Sequence, residues 1–210
     1  MPRTLYHHGV QREGVRRKSV QREIVFTGIG GQGVQLAARS LAEAAAAEGH
    51  RVQLFASYGG MMRGGNSDSF VVISDEAITA PPVVGSAWGA VVMHHEHAEP
   101  VWQKLHEGSV AAVNTSVVDP ASRPGDPGVA LLEVPALDLA TELGAPMAAS
   151  LVLLGAFVAR TGIVGAEALL GCADRVLPGY RAAAAGPNRE ALRAGLSWGA
   201  GDRPTGVATT

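Results

Sequence analysis

Apolar positions change their spacing several times along the chain. The run Ile24-Val25-Phe26-Thr27 predicts a first strand over residues 23–29. From Val34 to Glu48 the positions Val34, Ala37, Ala38, Leu41 and Ala45 fall on one helical face, and Gly49 supplies a stop. Residues 51–57 read as a second strand. Only a loop separates it from a third near Ser69–Ser74, which leaves no room for a crossover helix and makes that pair antiparallel. Short strands also fit Ala90–Met93, Val110–Asn114 and Ala130–Val134, with a helix over Pro100–Glu107 and a Pro-, Asp- and Gly-rich loop over 119–128. The last third turns helical at Leu137–Leu143, Met147–Arg160, Ala166–Val176 and Arg189–Leu196, with Asn188 as N-cap of the last. This alternation predicts an α/β fold: a three-layer α/β/α, Rossmann-like domain over 22–198, with a mixed sheet and a helical C-terminal part. Residues 1–21 read as a basic flexible extension or partner-binding arm, and 199–210 as a flexible tail.

Composition narrows the function. A chain of 210 residues suffices for one well-buried domain. Hydrophobic residues make up 47% and charged ones 17%, which suits a buried core with apolar surface left for a partner. A net charge of -2 supplies no basic field for nucleic acid. No apolar run reaches the roughly 18 residues of a membrane span, so no membrane partner is expected. Cys172 is the only cysteine, so a disulfide framework is excluded, a reducing cytoplasm fits, and this chain alone cannot hold a four-cysteine iron–sulfur cluster.

Two glycine clusters carry the candidate chemistry. Gly28-Ile29-Gly30-Gly31-Gln32-Gly33 joins the first strand to the first helix. Gly28 and Gly30 permit the turn and the approach of a ligand, and Gly33 lets the helix pack near the strand. The helix N-terminus then favours an anion. A glycine turn packed against another subunit fits the same residues. Nicotinamide binding is disfavoured, because Leu54-Phe55-Ala56-Ser57-Tyr58 offers no ribose-binding acid. The second cluster, Tyr58-Gly59-Gly60-Met61-Met62-Arg63-Gly64-Gly65-Asn66-Ser67, follows the second strand and is expected beside the first, at the carboxyl edge of the sheet. Arg63, with donors at Asn66 and Ser67, suits phosphate or carboxylate; pairing with a carboxylate across a subunit interface is the alternative. Met61 and Met62 suit a partner surface or the domain's own sheet edge.

Other residues invite a closer reading. His94-His95-Glu96-His97 has metal-ligand types, but adjacent strand positions point to opposite faces, so a strand-end surface cluster is expected and no metal site. Cys172 reads as a buried, inert thiol, and Trp88, Trp102 and Trp198 as packing residues. Met147–Ala159 is apolar on nearly every helical face, which predicts a core helix that lends one edge to a partner.

Gly28 to Gly33, Tyr58-Gly-Gly, Arg63-Gly-Gly65, and Ile73-Ser-Asp75 with Ile78 and Pro81 together resemble the gamma subunit of 2-oxoacid:ferredoxin oxidoreductases. The resemblance runs over about 22–197 and includes Asn188, Ala191-Leu192 and Gly195. It implies oxidative decarboxylation of a 2-oxoacid with coenzyme A, giving acyl-CoA, CO2 and reduced ferredoxin. It implies thiamine diphosphate, Mg2+ and an iron–sulfur cluster held on partner subunits, since this chain lacks the matching motifs and cysteines. The family motif carries over to Gly28, Gly30, Gly31, Gln32, Gly33, Tyr58, Arg63, Gly64 and Gly65 as part of the coenzyme A or active-site surround, with Asn66 beside them. A stand-alone dehydrogenase and a purely structural scaffold subunit are the competing readings.

Overall fold

The computed structural model describes residues 20–58, 65–79, 85–122, 128–173, 175–176 and 183–201. Much of the N-terminal extension, Gly59 to Gly64 with Met61, Met62 and Arg63, Pro81, part of the 119–128 loop and residues 202–210 lie outside them.

Six strands form one mixed sheet: β1 (Gln21–Ile29), β2 (Arg51–Tyr58), β3 (Asn66–Ser74), β4 (Ala87–Val92), β5 (Leu105–Asn114) and β6 (Ala130–Val134), in the order β2-β3-β1-β4-β5-β6. The expected antiparallel pairing of β2 with β3 is present, and β3 is antiparallel to β1 as well. β1, β4, β5 and β6 run parallel. Side chains of β1 alternate between two cores: Ile24 and Phe26 enter one, Val25 the other.

The two faces are covered unequally. On one lie α1 (Val34–Ala47), α3 (Ala136–Glu142), α4 (Ala149–Thr161) and α5 (Ala166–Cys172), with α6 (Ala185–Gly201) packed on α4. α1 covers β1, β2 and β3, while α4 covers β4 to β6. The opposite face is closed more thinly, by the short α2 (Glu99–Trp102) with Ala98, Val118 and Val129. All five apolar positions anticipated for α1 are buried, and the chain reverses after Glu48 at Gly49, whose φ is +90°. Every residue from Ala149 to Val158 is buried, so the core placement of that apolar stretch holds. Among the described residues no helix is long and apolar enough to cross a membrane.

Several boundaries differ from the sequence reading. The helix expected over Pro100–Glu107 ends at Trp102, because Leu105 enters β5 and pairs with Ala87. Ladder hydrogen bonds there outweigh local helical pattern. Asn188 is no N-cap: α6 starts at Ala185, and Pro187 lies in its first turn, where a missing N–H costs nothing. Instead Asn188 is buried at 7% exposure. The same helix runs on to Gly201, through residues read as a tail. α5 stops at Cys172 rather than Val176, and α4 is entered through a 3-10 turn at Pro146–Ala148. β3 begins at Asn66, so that residue pairs with Ile29 in the ladder rather than lying in a loop.

Candidate functional site

β1 and β4 are neighbours, yet the chain leaves β1 for α1 on one face and β4 for α2 on the other. Such a switch point opens a crevice at the carboxyl ends of the strands. A cavity of about 170 Å³ lies there, lined by Gly31 and Gln32 after β1, Met93 after β4, Asn114 and Val117 at the end of β5, and Leu137, Met147 and Ala149 before and within the helices that follow. Its wall is mostly apolar, and Met147 stands at 73% exposure.

The first glycine loop is built tightly. Gln32 folds back so that its Oε1 accepts the Ile29 N–H at 3.0 Å, and the Gln32 N–H donates to the Ile29 carbonyl at 3.2 Å. A Cβ on Gly28 would stand 2.7 Å from Gln32 Oε1 and 2.9 Å from Met93 Cβ. The space at Gly28 is therefore taken by the protein itself, not left for a ligand. Gly33 has φ +77°, the left-handed region that favours glycine, and is the N-cap of α1. A Cβ there would meet Ser150 Oγ of α4 at 2.6 Å, so the close neighbour is a helix, where the sequence reading placed a strand. Among the described residues no side chain caps α1, and its first turn has no acid. An uncapped, acid-free N-terminus is compatible with an anion.

Gly30 donates its N–H to the Gly65 carbonyl at 2.9 Å, so the two glycine clusters meet at the carboxyl edge, as expected. Tyr58 ends β2 with its backbone paired to Ser67, two strands from β1. Arg63 and Gly64 lie outside the described residues. Asn66 is not with the glycines: it pairs with Ile29, and its Nδ2 donates to Asp68 Oδ2 at 2.9 Å. Thr27 donates its hydroxyl to Asp68 Oδ1 at 2.7 Å. Thr27 and Asp68 are ladder partners on the face of Val25, away from α1. The edge is thus electrostatically divided, with a carboxylate on the α2 face and uncapped N–H groups on the α1 face.

Pattern reading missed the rest of the lining. Asn114 Oδ1 accepts the N–H groups of Ala136 and Leu137 at 3.1 and 3.3 Å, and its Nδ2 donates to the Met93 carbonyl at 3.4 Å. One amide thereby fixes the ends of β4, β5 and α3. Ser150 was signalled only as the single hydroxyl within Met147–Ala159.

The histidine cluster follows the end of β4 in a turn, as a strand-end group. The His94 and His95 rings stack at 4.5 Å. Glu96 donates its N–H to His94 Nδ1 at 3.2 Å, which places the proton of neutral His94 on Nε2. Burial, then the neighbouring His95, holds the His94 pKa below its ordinary value. Among the described residues no group of ligating side chains converges as a metal site. Cys172 is buried and free, and burial pushes its thiol up to about 11. Trp88 packs edge-on against Phe157 and Trp102 is buried, whereas Trp198 is 39% exposed and binds the Glu133 carbonyl.

The chain is similar to known proteins in sequence and in fold. Residues 23–198 match the family described as pyruvate ferredoxin/flavodoxin oxidoreductase. The 2-oxoglutarate synthase subunit KorC of Methanocaldococcus jannaschii is 34% identical over 149 residues, covering 70% of this chain and 79% of that one. The ketoisovalerate oxidoreductase subunit VorA of Methanothermobacter marburgensis is 31% identical over 144 residues; the match takes 69% of this chain but only 29% of VorA. The crystal structure of the keto/oxoacid ferredoxin oxidoreductase gamma subunit from Geobacter sulfurreducens superposes with a TM-score of 0.72 at 30% identity, covering 86% of this chain and 99% of that one.

Proposed function

The chain belongs to the pyruvate ferredoxin/flavodoxin oxidoreductase family, and on that premise we propose that it is the gamma-type subunit of a multi-subunit 2-oxoacid:ferredoxin oxidoreductase. Residues 22–198 form its gamma-type domain. The reaction joins a 2-oxoacid to coenzyme A and releases CO2, with two electrons passing to ferredoxin. Partner subunits in the cytoplasm hold thiamine diphosphate, Mg2+ and the iron–sulfur cluster, which supply decarboxylation and electron transfer. Cys172, the single cysteine, is buried and cannot contribute to a cluster surface.

This chain's share is binding and water exclusion. The Gly30 N–H to Gly65 carbonyl bond carries the proposal, because it joins both glycine clusters at the carboxyl edge of the sheet. Gly28, Gly30, Gly31, Gln32 and Gly33 shape the loop at the uncapped start of α1. Gly65 meets it from the second cluster, and Tyr58, Arg63 and Gly64 of the same motif complete the surround, with Arg63 as the ligand for a phosphate of coenzyme A. Met93, Val117, Leu137 and Met147 give the cavity an apolar wall that keeps water from a thioester. A stand-alone dehydrogenase is disfavoured by topology as well as composition. β3 separates β2 from β1, so a ribose-binding acid at the end of β2 would not adjoin the loop.

The test is steady-state kinetics of the assembled complex, varying coenzyme A and 2-oxoacid separately. Arg63→Ala raises the KM for coenzyme A by about tenfold to a hundredfold, the scale of one lost charge-assisted hydrogen bond. Arg63→Lys recovers part of the loss, since a point charge does not reproduce the planar fork. Unchanged kinetics in an intact complex refutes the site. Co-purification of a cysteine-rich, thiamine-diphosphate-binding chain tests the assembly; its absence refutes the subunit reading.

A further inference from the structure

Ser150 differs from three other hydroxyls of the helices. Ser40, Thr141 and Thr161 each donate to a carbonyl one turn back: Leu36 at 2.8 Å, Leu137 at 2.7 Å and Phe157 at 2.7 Å. That is the usual way a buried helical hydroxyl is satisfied. Ser150 does not do so. The carbonyl one turn behind it belongs to Pro146, and the 3-10 turn directs the Ala149 N–H to that oxygen. Ser150 is 0% exposed, and its Oγ has no hydrogen-bond partner among the described residues. A buried hydroxyl without a partner is unfavourable and calls for an explanation.

The direction of the side chain supplies one. Ser150 Oγ lies 2.6 Å from where a Cβ of Gly33 would stand, and Gly33 is the N-cap of the 14-residue α1. Two independent features meet at this point: a helix N-terminus that no side chain caps among the described residues, and a buried hydroxyl aimed into it. The first turn of α1 has no acid, and the carboxylate of Asp68 lies on the opposite face of the sheet. Donors gathered without an acceptor select an anion with several oxygens.

We propose that Ser150 is a ligand-coupled residue, whose hydroxyl, unpaired in the free protein, donates to a phosphate group of coenzyme A bound at the N-terminus of α1. This rests on the reading that the glycine loops surround coenzyme A. It adds a donor from α4, an element outside both glycine clusters. It also makes a prediction with two signs, because removing the hydroxyl relieves the free protein and deprives the bound one.

The experiment compares wild type, Ser150→Ala and Gly33→Ala, by kinetics of the assembled complex and by thermal melting of the full chain. For Ser150→Ala, the KM for coenzyme A rises about tenfold, the scale of one hydrogen bond to a charged group. The KM for the 2-oxoacid and turnover at saturating coenzyme A stay within about twofold. The melting temperature is equal to wild type or higher. With pantetheine, which lacks the phosphates, the two proteins react alike. A lowered melting temperature with an unchanged KM for coenzyme A overturns the proposal, since the hydroxyl then serves the fold alone. An equal penalty with pantetheine also overturns it, since the contact would not involve phosphate. Gly33→Ala separates this inference from its premise. If Gly33→Ala raises the KM for coenzyme A and Ser150→Ala does not, only the role of Ser150 fails. If neither does so in an intact complex, the glycine-loop reading fails.

Discussion

Glycines build both the contact between α4 and α6 and the loop after β1, but a side chain added in each place meets different atoms. At the helix contact, a Cβ on Gly195 would stand 1.9 Å from the Val152 carbonyl oxygen, one on Gly155 2.4 Å from that of Leu192, and one on Gly199 2.4 Å from that of Ala156. Every obstacle is backbone. In the loop, a Cβ on Gly33 meets one hydroxyl, and a Cβ on Gly31 meets nothing within 4 Å. The first region is a frame in which two helices touch main chain to main chain and neither can yield. The second has positive φ at both Gly31 and Gly33, and the atoms nearest an added Cβ belong to side chains, Ser150 at Gly33 and Gln32, Met93 and Val34 at Gly28, which can yield where main chain cannot.

The largest effect tests the frame from within. Leu153 is fully buried in α4, and Leu153→Asp places a carboxylate there with no partner. A loss of several kcal/mol is expected, enough to remove soluble protein. Soluble yield and a thermal melt check it; a wild-type melt would show that α4 is not the centre of the frame. Next comes Gly195→Ala. The helices must separate to admit one methyl group, at about 3 kcal/mol, or a melting temperature lower by roughly 10 °C.

A smaller effect tests the loop. Gly33→Ala combines a strained φ, about 1–2 kcal/mol, with the clash against Ser150 Oγ. In a Ser150→Ala background the nearest side-chain atom is Cβ, at 3.7 Å. The double variant is then more stable than additivity predicts, by about 1 kcal/mol. Additive losses would mean that the strain lies wholly in the backbone of Gly33. No such rescue is expected at Gly195, where the obstacle is a carbonyl.

This difference also marks what the sequence could show. The strand-to-helix period, the antiparallel β2–β3 pair and the buried face of α1 were legible because spacing alone decides them. The two glycine clusters were legible as a pair, and Gly30 does bond to Gly65. Their duties were not. Gly28 looks like a ligand-facing glycine in sequence, yet Gln32 and Met93 fill its space. Asn66 looks like a loop donor, yet the ladder turns it toward Asp68. Asn114 and Ser150 reach the site from elements 80 to 120 residues away along the chain, and long-range closeness of that kind leaves no local pattern. Asn188 looks like an N-cap in sequence, yet the helix starts at Ala185 with Pro187 in its first turn, where proline is tolerated.

A last effect, nil at neutral pH, appears only in alkali, and it asks whether the helical side of the core stays closed to solvent. Cys172 packs at the end of α5 with its Sγ 2.9 Å from the Leu169 carbonyl and 3.2 Å from that of Ser40, toward both of which the thiol donates. Burial raises its pKa from 9.0 to about 11, partly offset by Arg175. The unfolded chain therefore loses this proton first as pH rises. Between about pH 9 and 11 the folded state binds more protons than the unfolded one, so stability falls with pH across that window and is unaffected by this group below it. The loss amounts to about 2–3 kcal/mol by pH 11. Urea unfolding at intervals from pH 8 to 11 measures it, with Cys172→Ala as the reference that lacks the group and should decline less steeply. A disulfide reagent at pH 8 should label Cys172 only as fast as the protein unfolds, because the thiol is both protonated and enclosed. Rapid labelling of the native protein, or parallel alkaline limbs for the two proteins, would mean that the α1–α5 side of the core opens as readily as the loop. The contrast between a fixed frame and an adjustable edge would then have to be withdrawn.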